Sequence, residues 1–385
     1  MRARAHRFCA LAFGLTLAGC SSIGPPTIKR DRNDYSNAMA NSWKEMQLLN
    51  IVKYRYFDPP VFVDVPSVVS QQELEARTRA EAQFFHHELT NVSGTQDFGF
   101  IRADGRYIDR PTISYTPISG QALVDLLLRP VPPATVFAMI DAGYPADFIL
   151  ARTVKSMNNL YNYSLSATRG HPEDPRFREL TAAFHRLQAV GAIAARTTQG
   201  DDKSRGAAPR VEGEGRTSGA TAAGEGKSLV TIVYFRRNAS AAAERDIRFV
   251  KSLLGLDPKR DEFRVTGGPR HTPEEIAVDA RSLQEVLEEF AAGVDVPEGE
   301  VADGRATGVP AFAAAPNSHP LIHILCSDGP PDDAFSAVYY QQHWFWIENN
   351  DLRSKLDFLF LMIFAALVES RSIPQIPLVT ISAGR

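Results

Sequence analysis

Residues 352–369 have the sequence LRSKLDFLFLMIFAALVE, in which the run from Phe358 to Val368 would be apolar on every side of a helix. Asp351, directly before this stretch, is a residue type that caps helix N-termini. The run is shorter than the roughly 20 apolar residues that a membrane-spanning helix needs. It therefore predicts the central, buried helix of a folded domain.

Two short strands are predicted just before this helix. The segments Phe335–Tyr340 and Trp344–Ile347 are rich in aromatic residues, which favour strands. Only residues 341–343 separate them, so the pattern indicates a hairpin.

The second strand of this hairpin contains the candidate binding surface. Along a strand Trp344 and Trp346 share one face, whereas Phe345 and Ile347 share the other. If the second face packs on the helix, Trp344 and Trp346, together with Tyr340, would form a surface for a glycan, a peptide or a lipid. The alternative is that both faces are covered.

The rest of the chain alternates helical and strand-like patterns. This predicts the α+β class, with mixed helices, short strands and hairpins. Helices are predicted from Asp34 to the residues before Pro59-Pro60 and over residues 71–89, 119–128, 134–142, 146–160, 174–190, 241–254 and 273–291; strands are predicted over residues 61–65, 112–116, 191–196, 229–235, 261–266, 321–326 and 378–381.

A long loop is predicted in the middle of the chain. Residues 197–228 contain no Leu, Ile, Phe, Tyr or Trp, so they cannot bury enough apolar surface to offset the entropy of ordering. Strands are predicted on both sides of this disordered loop. An insertion between the two strands of a hairpin therefore explains it at least as well as a linker between domains. It separates residues 34–196 from residues 229–385, two α+β parts that could form one domain.

The N-terminal residues resemble a secretory signal peptide. Arg2, Arg4 and Arg7 precede a short apolar run, Ala10–Leu17, that ends in small residues. Residues 1–19 are therefore predicted to be removed, and residues 20–33 to form a polar tether.

The sequence Leu17-Ala18-Gly19-Cys20 resembles the lipobox of bacterial lipoproteins. The resemblance implies that Cys20 is lipidated, with palmitate-type acyl chains, and becomes the first residue of the mature protein. Several acyl chains give stable membrane anchoring. The next residue is Ser21 rather than Asp, which favours the outer membrane.

Charge and cysteine content exclude other classes. The chain has 42 basic and 45 acidic residues, and loss of three arginines with the signal leaves 39 basic residues and a net charge of about −6. Such a balance of basic and acidic residues does not indicate the basic surface that nucleic-acid binding requires. Cys326 would have no intramolecular partner, so no intramolecular disulfide is predicted. Its apolar neighbours favour burial as a small hydrophobic residue over the alternative, an intermolecular disulfide.

Candidate catalytic and metal-binding patterns are weak. Cys326 lies near His323 and His319, but one short strand does not bring a thiol and an imidazole together as a catalytic dyad. Residues 84–88, with the sequence FFHHE, lack the His-Glu-x-x-His spacing of zinc sites. The acidic pair Glu288-Glu289 is typical of a solvent-exposed surface. We therefore predict no catalytic residue, no metal and no cofactor.

Several segments are similar to proteobacterial outer-membrane lipoproteins of uncharacterised activity. These segments are residues 41–45, 50–56, 60–65, 330–335 and 344–347. The resemblance implies a protein of the cell envelope that is anchored in the outer membrane and faces the periplasm. We expect a non-catalytic binding or assembly component with an envelope protein or peptidoglycan as partner; the alternative is an envelope hydrolase acting on peptidoglycan or a related polymer.

Overall fold

The computed structural model describes residues 25–69, 72–83, 98–109, 112–199, 229–236, 240–308 and 320–372. Its described residues form an α+β protein, as predicted. They divide into two compact units, one of residues 1–60 with 120–385 and one of residues 61–119. The signal and lipobox, residues 200–228 of the predicted loop and the strand predicted at 378–381 lie outside the described residues.

The smaller unit consists of two antiparallel strand pairs. Strand β1 (Val63–Val69) pairs with β4 (Thr112–Pro117), and β2 (Gln72–Gln83) pairs with β3 (Phe98–Asp109). The predicted strands at 61–65 and 112–116 are confirmed. The helix predicted over 71–89 was wrong for residues 72–83, the part of it that the structure describes. Residues 73–82 alternate charged with apolar or hydroxyl residues, a period of two that outweighs the helix propensity of Ala, Glu and Arg.

Nine helices are described in the larger unit. They are α1 (Pro25–Arg55), α2 (Gly120–Leu128), α3 (Pro133–Asp141), α4 (Ala146–Thr153), α5 (Pro175–Ala189), α6 (Ala241–Leu253), α7 (Leu283–Ala291), α8 (Glu298–Ala302) and α9 (Leu352–Ser372). Helix α1 begins well before the predicted Asp34, so much of the predicted tether is helical. Pro25 suits a first helical position, because its missing N–H would have no intrahelical partner.

A six-stranded sheet joins the two halves of the chain on either side of the predicted loop. Its strands are β5 (Val154–Met157), β6 (Leu160–Tyr161), β7 (Ile193–Gln199), β8 (Leu229–Phe235), β9 (Glu262–Thr266) and β10 (Glu275–Ala280), in the order β6-β5-β10-β9-β8-β7. Strands β7 and β8 pair antiparallel from Ile193 opposite Phe235 to Gln199 opposite Leu229, so the predicted loop is a hairpin insertion. Its predicted start at residue 197 was wrong, because residues 197–199 belong to β7. Residues 34–60 and 120–196 therefore share one unit with residues 229–385.

Two predicted helices were too long. The helix predicted over 146–160 ends at Thr153, where the backbone turns extended at Val154 and continues as β5. The helix predicted over 273–291 was wrong in its first half, which is strand β10. Helix α7 starts after Ser282, whose side chain and that of Glu285 form a reciprocal capping box.

A three-stranded sheet contains the predicted hairpin. Its strands are β11 (Leu325–Ser327), β12 (Ala334–Tyr340) and β13 (His343–Glu348), in the order β11-β13-β12. The turn consists of Gln341 and Gln342, both in the left-handed region with φ of 47° and 70°. A two-residue turn of this kind matches the twist of the flanking strands.

Helix α9 confirms the predicted helix and its cap but not its burial on every side. Asp351 accepts a hydrogen bond from the Ser354 amide at 3.0 Å. One face is buried, whereas Leu352, Leu356 and Leu359 are more than half exposed. The central helix is instead α7, which packs against α1, α2 and α9 and buries Leu283, Val286, Leu287 and Phe290 completely.

No single helix among the described residues has the length and apolar character to cross a membrane. Helices α2 and α3 together meet the criteria of length and composition, with a bend of 59° between them.

Gly293, just after α7, allows two backbone segments to approach closely. The Ile324 amide donates to the Gly293 carbonyl at 2.9 Å, and the Asp295 amide donates to the Ile324 carbonyl at 2.8 Å. A Cβ atom on residue 293 would lie 1.8 Å from the Ile322 carbonyl oxygen, so any larger residue requires a backbone shift.

We therefore expect Gly293→Ala to lower the free energy of unfolding by roughly 2–3 kcal/mol, as measured by urea denaturation. Gly299→Ala is the matched control, because a Cβ there meets no atom within 4 Å and lies in a helix. Its stability should be unchanged or slightly higher. Equal stability of the two variants would contradict the close approach.

Candidate functional site

The aromatic surface predicted on the hairpin lies on one face of the three-stranded sheet. Trp344 and Trp346 are both partly exposed, and Tyr339 stands opposite Trp344 on β12. The rings of Tyr339 and Trp344 are 5.4 Å apart, and Tyr339 is 58% exposed. This face is thus partly open, whereas Phe345 and Ile347 on the other face are fully buried.

Tyr340 does not belong to this aromatic surface. Alternation along β12 turns it to the opposite face of the sheet. There its hydroxyl donates a hydrogen bond to the Asp58 carboxylate, and its ring packs edge-on against Tyr56 at 5.5 Å. The prediction that grouped Tyr340 with the two tryptophans is therefore corrected, and Tyr339 takes that place.

Cys326 lies on the same face as Phe345, in a cluster of polar groups. The Tyr56 hydroxyl donates to Glu300 at 2.5 Å, and His343 Nε2 lies 3.6 Å from the same carboxylate. Cys326 is partly exposed rather than fully buried. Burial, followed by the charges of nearby carboxylates, raises the pKa of its thiol to about 11. The thiol is protonated at neutral pH, so it is not an activated nucleophile.

The other histidine beside Cys326 makes a separate contact. His323 Nε2 lies 2.9 Å from Asp295 Oδ2, and both side chains are more than half exposed. Among the residues that the structure describes, no group of three or more His, Cys, Asp or Glu side chains could hold a metal ion. His319 and the segment 84–88 lie outside the described residues.

The raised pKa predicts slow alkylation of Cys326. At pH 8 the thiolate population is about 100-fold lower than for a thiol of pKa 9, and the greater nucleophilicity of the more basic thiolate recovers about tenfold of this. We expect iodoacetamide to label native Cys326 about ten times more slowly than the urea-unfolded chain, measured by mass spectrometry of the Cys326 peptide. Equal labelling rates for the native and the unfolded chain would contradict the raised pKa of Cys326. Native labelling should accelerate as the pH rises toward 11.

A cleft of about 330 Å³ lies beside helix α7. Its walls are the end of α1, residues 165–169, helix α7 with Ala292, and Thr307. A neighbouring pocket of about 170 Å³ shares Ser166, Arg169 and Glu288 with it. The larger volume falls in the range of small-molecule sites.

Helix α7 places three glutamates along these two pockets. Glu285, Glu288 and Glu289 are spaced three and four residues apart, which puts them on one face of the helix. The opposite face carries the buried apolar side chains that hold α7 in the core. The site is thus built on the most enclosed helix of the unit.

Glu289 forms a buried ion pair with Arg281. Both side chains are only 2% exposed, and Arg281 Nη2 lies 3.6 Å from Glu289 Oε1. Glu289 also accepts hydrogen bonds from the Ser164 hydroxyl at 2.7 Å and the Leu165 amide at 2.8 Å. The pair therefore fixes the segment that forms one wall of the cleft.

The guanidinium of Arg281 binds three backbone carbonyls, those of Ala151, Arg152 and Tyr163. Burial raises the pKa of the adjacent Tyr163 phenol to about 12. Removal of either member of a buried pair leaves the other charge uncompensated. Arg281 and Glu289 consequently have a structural function.

Glu288 and Glu285 are also engaged. Glu288 accepts hydrogen bonds from the Ser166 hydroxyl at 2.7 Å, from Gln284 at 2.9 Å and from Arg169 at 3.1 and 3.2 Å. Glu285 accepts from Lys155 at 3.2 Å in addition to capping α7. Each of the three carboxylates thus already has a cationic partner.

The opposite wall of the cleft comes from the end of α1. Tyr54 and Arg55 are the last residues of this helix, and the exposed ring of Phe57 follows at the mouth of the cleft. Burial, with a smaller contribution from Glu288, raises the pKa of the Tyr54 phenol well above its usual range. Burial likewise lowers the pKa of Arg55.

Sequence reasoning missed this cleft. The interpretation of Glu288-Glu289 as surface acids was wrong for Glu289, which is buried. One usable signal was present: Ser282 followed by Glu285 is a capping box, which locates the start of α7 and hence its buried face. Arg55 and Arg281 carried no comparable signal, because their positions depend on tertiary packing.

In comparisons with known proteins, no family model, no curated protein and no solved structure matches this chain.

Proposed function

We propose that this chain is a lipid-anchored protein of the cell envelope that binds a small polar ligand or a partner in the cleft beside α7 rather than catalysing a reaction. The observation that supports it is the state of the cleft carboxylates. Glu285, Glu288 and Glu289 are each held by cations and hydrogen bonds. A general base or nucleophile must reach its substrate, and these groups are held against their neighbours.

Two further observations favour binding. The protonated Cys326 thiol is unsuited to nucleophilic catalysis. The partly open face with Tyr339, Trp344 and Trp346 provides rigid rings suited to stacking on a sugar or a peptide. Within this proposal, the aromatic face is a candidate contact for the larger partner and the cleft is the site for its polar group.

The proposed cellular location rests on the Leu17-Ala18-Gly19-Cys20 sequence. Lipid on Cys20 would hold the protein in the outer membrane, facing the periplasm, with peptidoglycan or an envelope protein within reach. The net charge of the chain argues against nucleic acid as a partner.

An envelope hydrolase is the second candidate. The observation that favours it is the convergence of Glu285, Glu288 and Glu289 with Ser164 and Ser166 on the two adjoining pockets. In this case Glu288, which lines both pockets, would be the acid to test.

Crosslinking in cells, followed by membrane fractionation and mass spectrometry, tests both parts of the proposal. The wild-type protein should sediment with the outer membrane and yield one main adduct, an envelope protein or a muropeptide. Cys20→Ala should be released to the soluble fraction, because it has no lipid. Cys326→Ala is the matched control and should behave as the wild type.

Two outcomes would contradict the proposal. Continued sedimentation of Cys20→Ala with the outer membrane would refute lipidation at Cys20 as the anchor. Release of muropeptides from purified sacculi by the wild type, and its loss in Glu288→Gln, would establish the hydrolase instead.

A further inference from the structure

Arg55 is a buried cation that lines the cleft. Its side chain is 5% exposed, and its Nε is buried with no hydrogen-bond partner. Among the residues that the structure describes, no carboxylate lies within 4.0 Å of its guanidinium to form an ion pair. A buried guanidinium is unfavourable unless it is paired, so this position requires an explanation.

Two features of the fold allow Arg55 to stay charged without such a partner. It is the last residue of α1, where the partial negative charge of the helix C-terminus favours a cation. The charge of Asp295 also favours the protonated form, although burial lowers the pKa of Arg55 overall. A guanidinium remains charged in proteins, so the cleft carries this positive charge when it is empty.

The other charges that line the cleft cancel. Arg169 donates to both carboxylate oxygens of Glu288, so this pair is satisfied internally. Arg55 is therefore the one charged side chain lining the described cleft that has no carboxylate within 4.0 Å, and Asp295 acts on it only from a greater distance. The cleft has the electrostatics of a site for one negative charge.

We infer that the cleft binds a ligand through a single carboxylate group that pairs with Arg55, an inference that rests on the proposed binding function. A planar carboxylate fits the fork of a guanidinium and can accept from its two terminal nitrogens, since the Arg55 Nε itself is out of reach of the cleft. A phosphate carries nearly two charges, which would exceed the single positive charge available. The carboxylate is therefore the better match.

The remaining lining indicates the body of the ligand. Leu165, Ala291 and Ala292 provide apolar surface, and the Ser166 and Thr168 hydroxyls provide polar contacts. A volume of about 330 Å³ accommodates a group of the size of a dipeptide. The structure thus fits the carboxyl-terminal end of a short peptide better than a highly charged ligand.

Phe57 lies at the mouth of the cleft. Its φ of 56° is left-handed, a conformation usually taken by Gly or Asn at the residue after a helix. Its ring is nevertheless 68% exposed and lines the cleft. The conformation belongs to the cap of α1, in which the Asp58 amide donates to the Lys53 carbonyl at 2.9 Å and the Phe57 amide to the Tyr54 carbonyl at 3.3 Å. The cap leaves the ring at the edge of the cleft.

Calorimetric titration of the full-length protein in detergent tests the inference. The probes are acetyl-Ala-Ala with a free carboxylate and its C-terminal amide, each in the L and the D series. We expect the free acid to bind at least about tenfold more tightly than the amide, because a hydrogen-bonded ion pair is lost with the amide. Preference for the L series would indicate a protein C-terminus, and preference for the D series a cell-wall peptide.

Arg55→Met provides the variant test. It should lose the preference for the acid, and its thermal midpoint without ligand should equal or exceed that of the wild type, since an unpaired buried charge is removed. Arg55→Lys keeps the charge without the fork and should weaken acid binding less. Arg178→Gln, an exposed charge on α5, is the matched control and should bind as the wild type.

The inference is overturned if acid and amide bind the wild type equally, if neither binds at millimolar concentration, or if Arg55→Met retains the preference. The comparison of acid and amide binding uses only the wild-type protein. It therefore tests the inference even if a variant folds poorly. Envelope adducts without any acid preference would overturn this inference alone. Sacculus hydrolysis by the wild type would overturn the proposed binding function instead.

Discussion

The buried ion pair between Arg281 and Glu289 is the interaction on which the cleft depends. Arg281 lies between β10 and α7 and binds carbonyls of α4 and of the segment after β6. Glu289 lies on the central helix and binds Ser164 and Leu165 of that same segment. With both charges out of water, the arrangement is favourable only while all these contacts are made together. The pair thereby fixes one wall of the cleft.

The opposite wall depends on the packing of α1. This helix lies against α7 and β12, and its buried residues Leu48, Ile51 and Val52 set its position. Its end delivers Arg55 and Phe57 to the cleft. One wall is thus held by a polar network and the other by apolar packing. Arg55 makes no ion pair in the described structure and remains available to a ligand. A rigid site of this kind lowers the entropic cost of binding.

Local patterns predicted much of this fold. The cap at Asp351, the amphipathic α5 and the hairpin around Gln341 each depend on residues close in sequence. The prediction of a long helix over 273–291 failed because the short apolar run of β10 forms a strand buried at most positions, and the helix cap at Ser282 starts a new element. The binding site was harder to predict. The burial of Glu289 and the position of Arg55 depend on segments more than a hundred residues apart, and no local pattern records such contacts.

The most direct test of this account is a double-mutant cycle on the buried pair, followed by equilibrium unfolding in urea. Arg281→Met and Glu289→Leu should each lose about 3–5 kcal/mol, because each leaves one buried charge uncompensated. The double variant should be more stable than the sum of the two losses predicts, with a coupling energy of at least about 1 kcal/mol. Additive losses would contradict the claim that this pair holds the wall of the cleft as one unit.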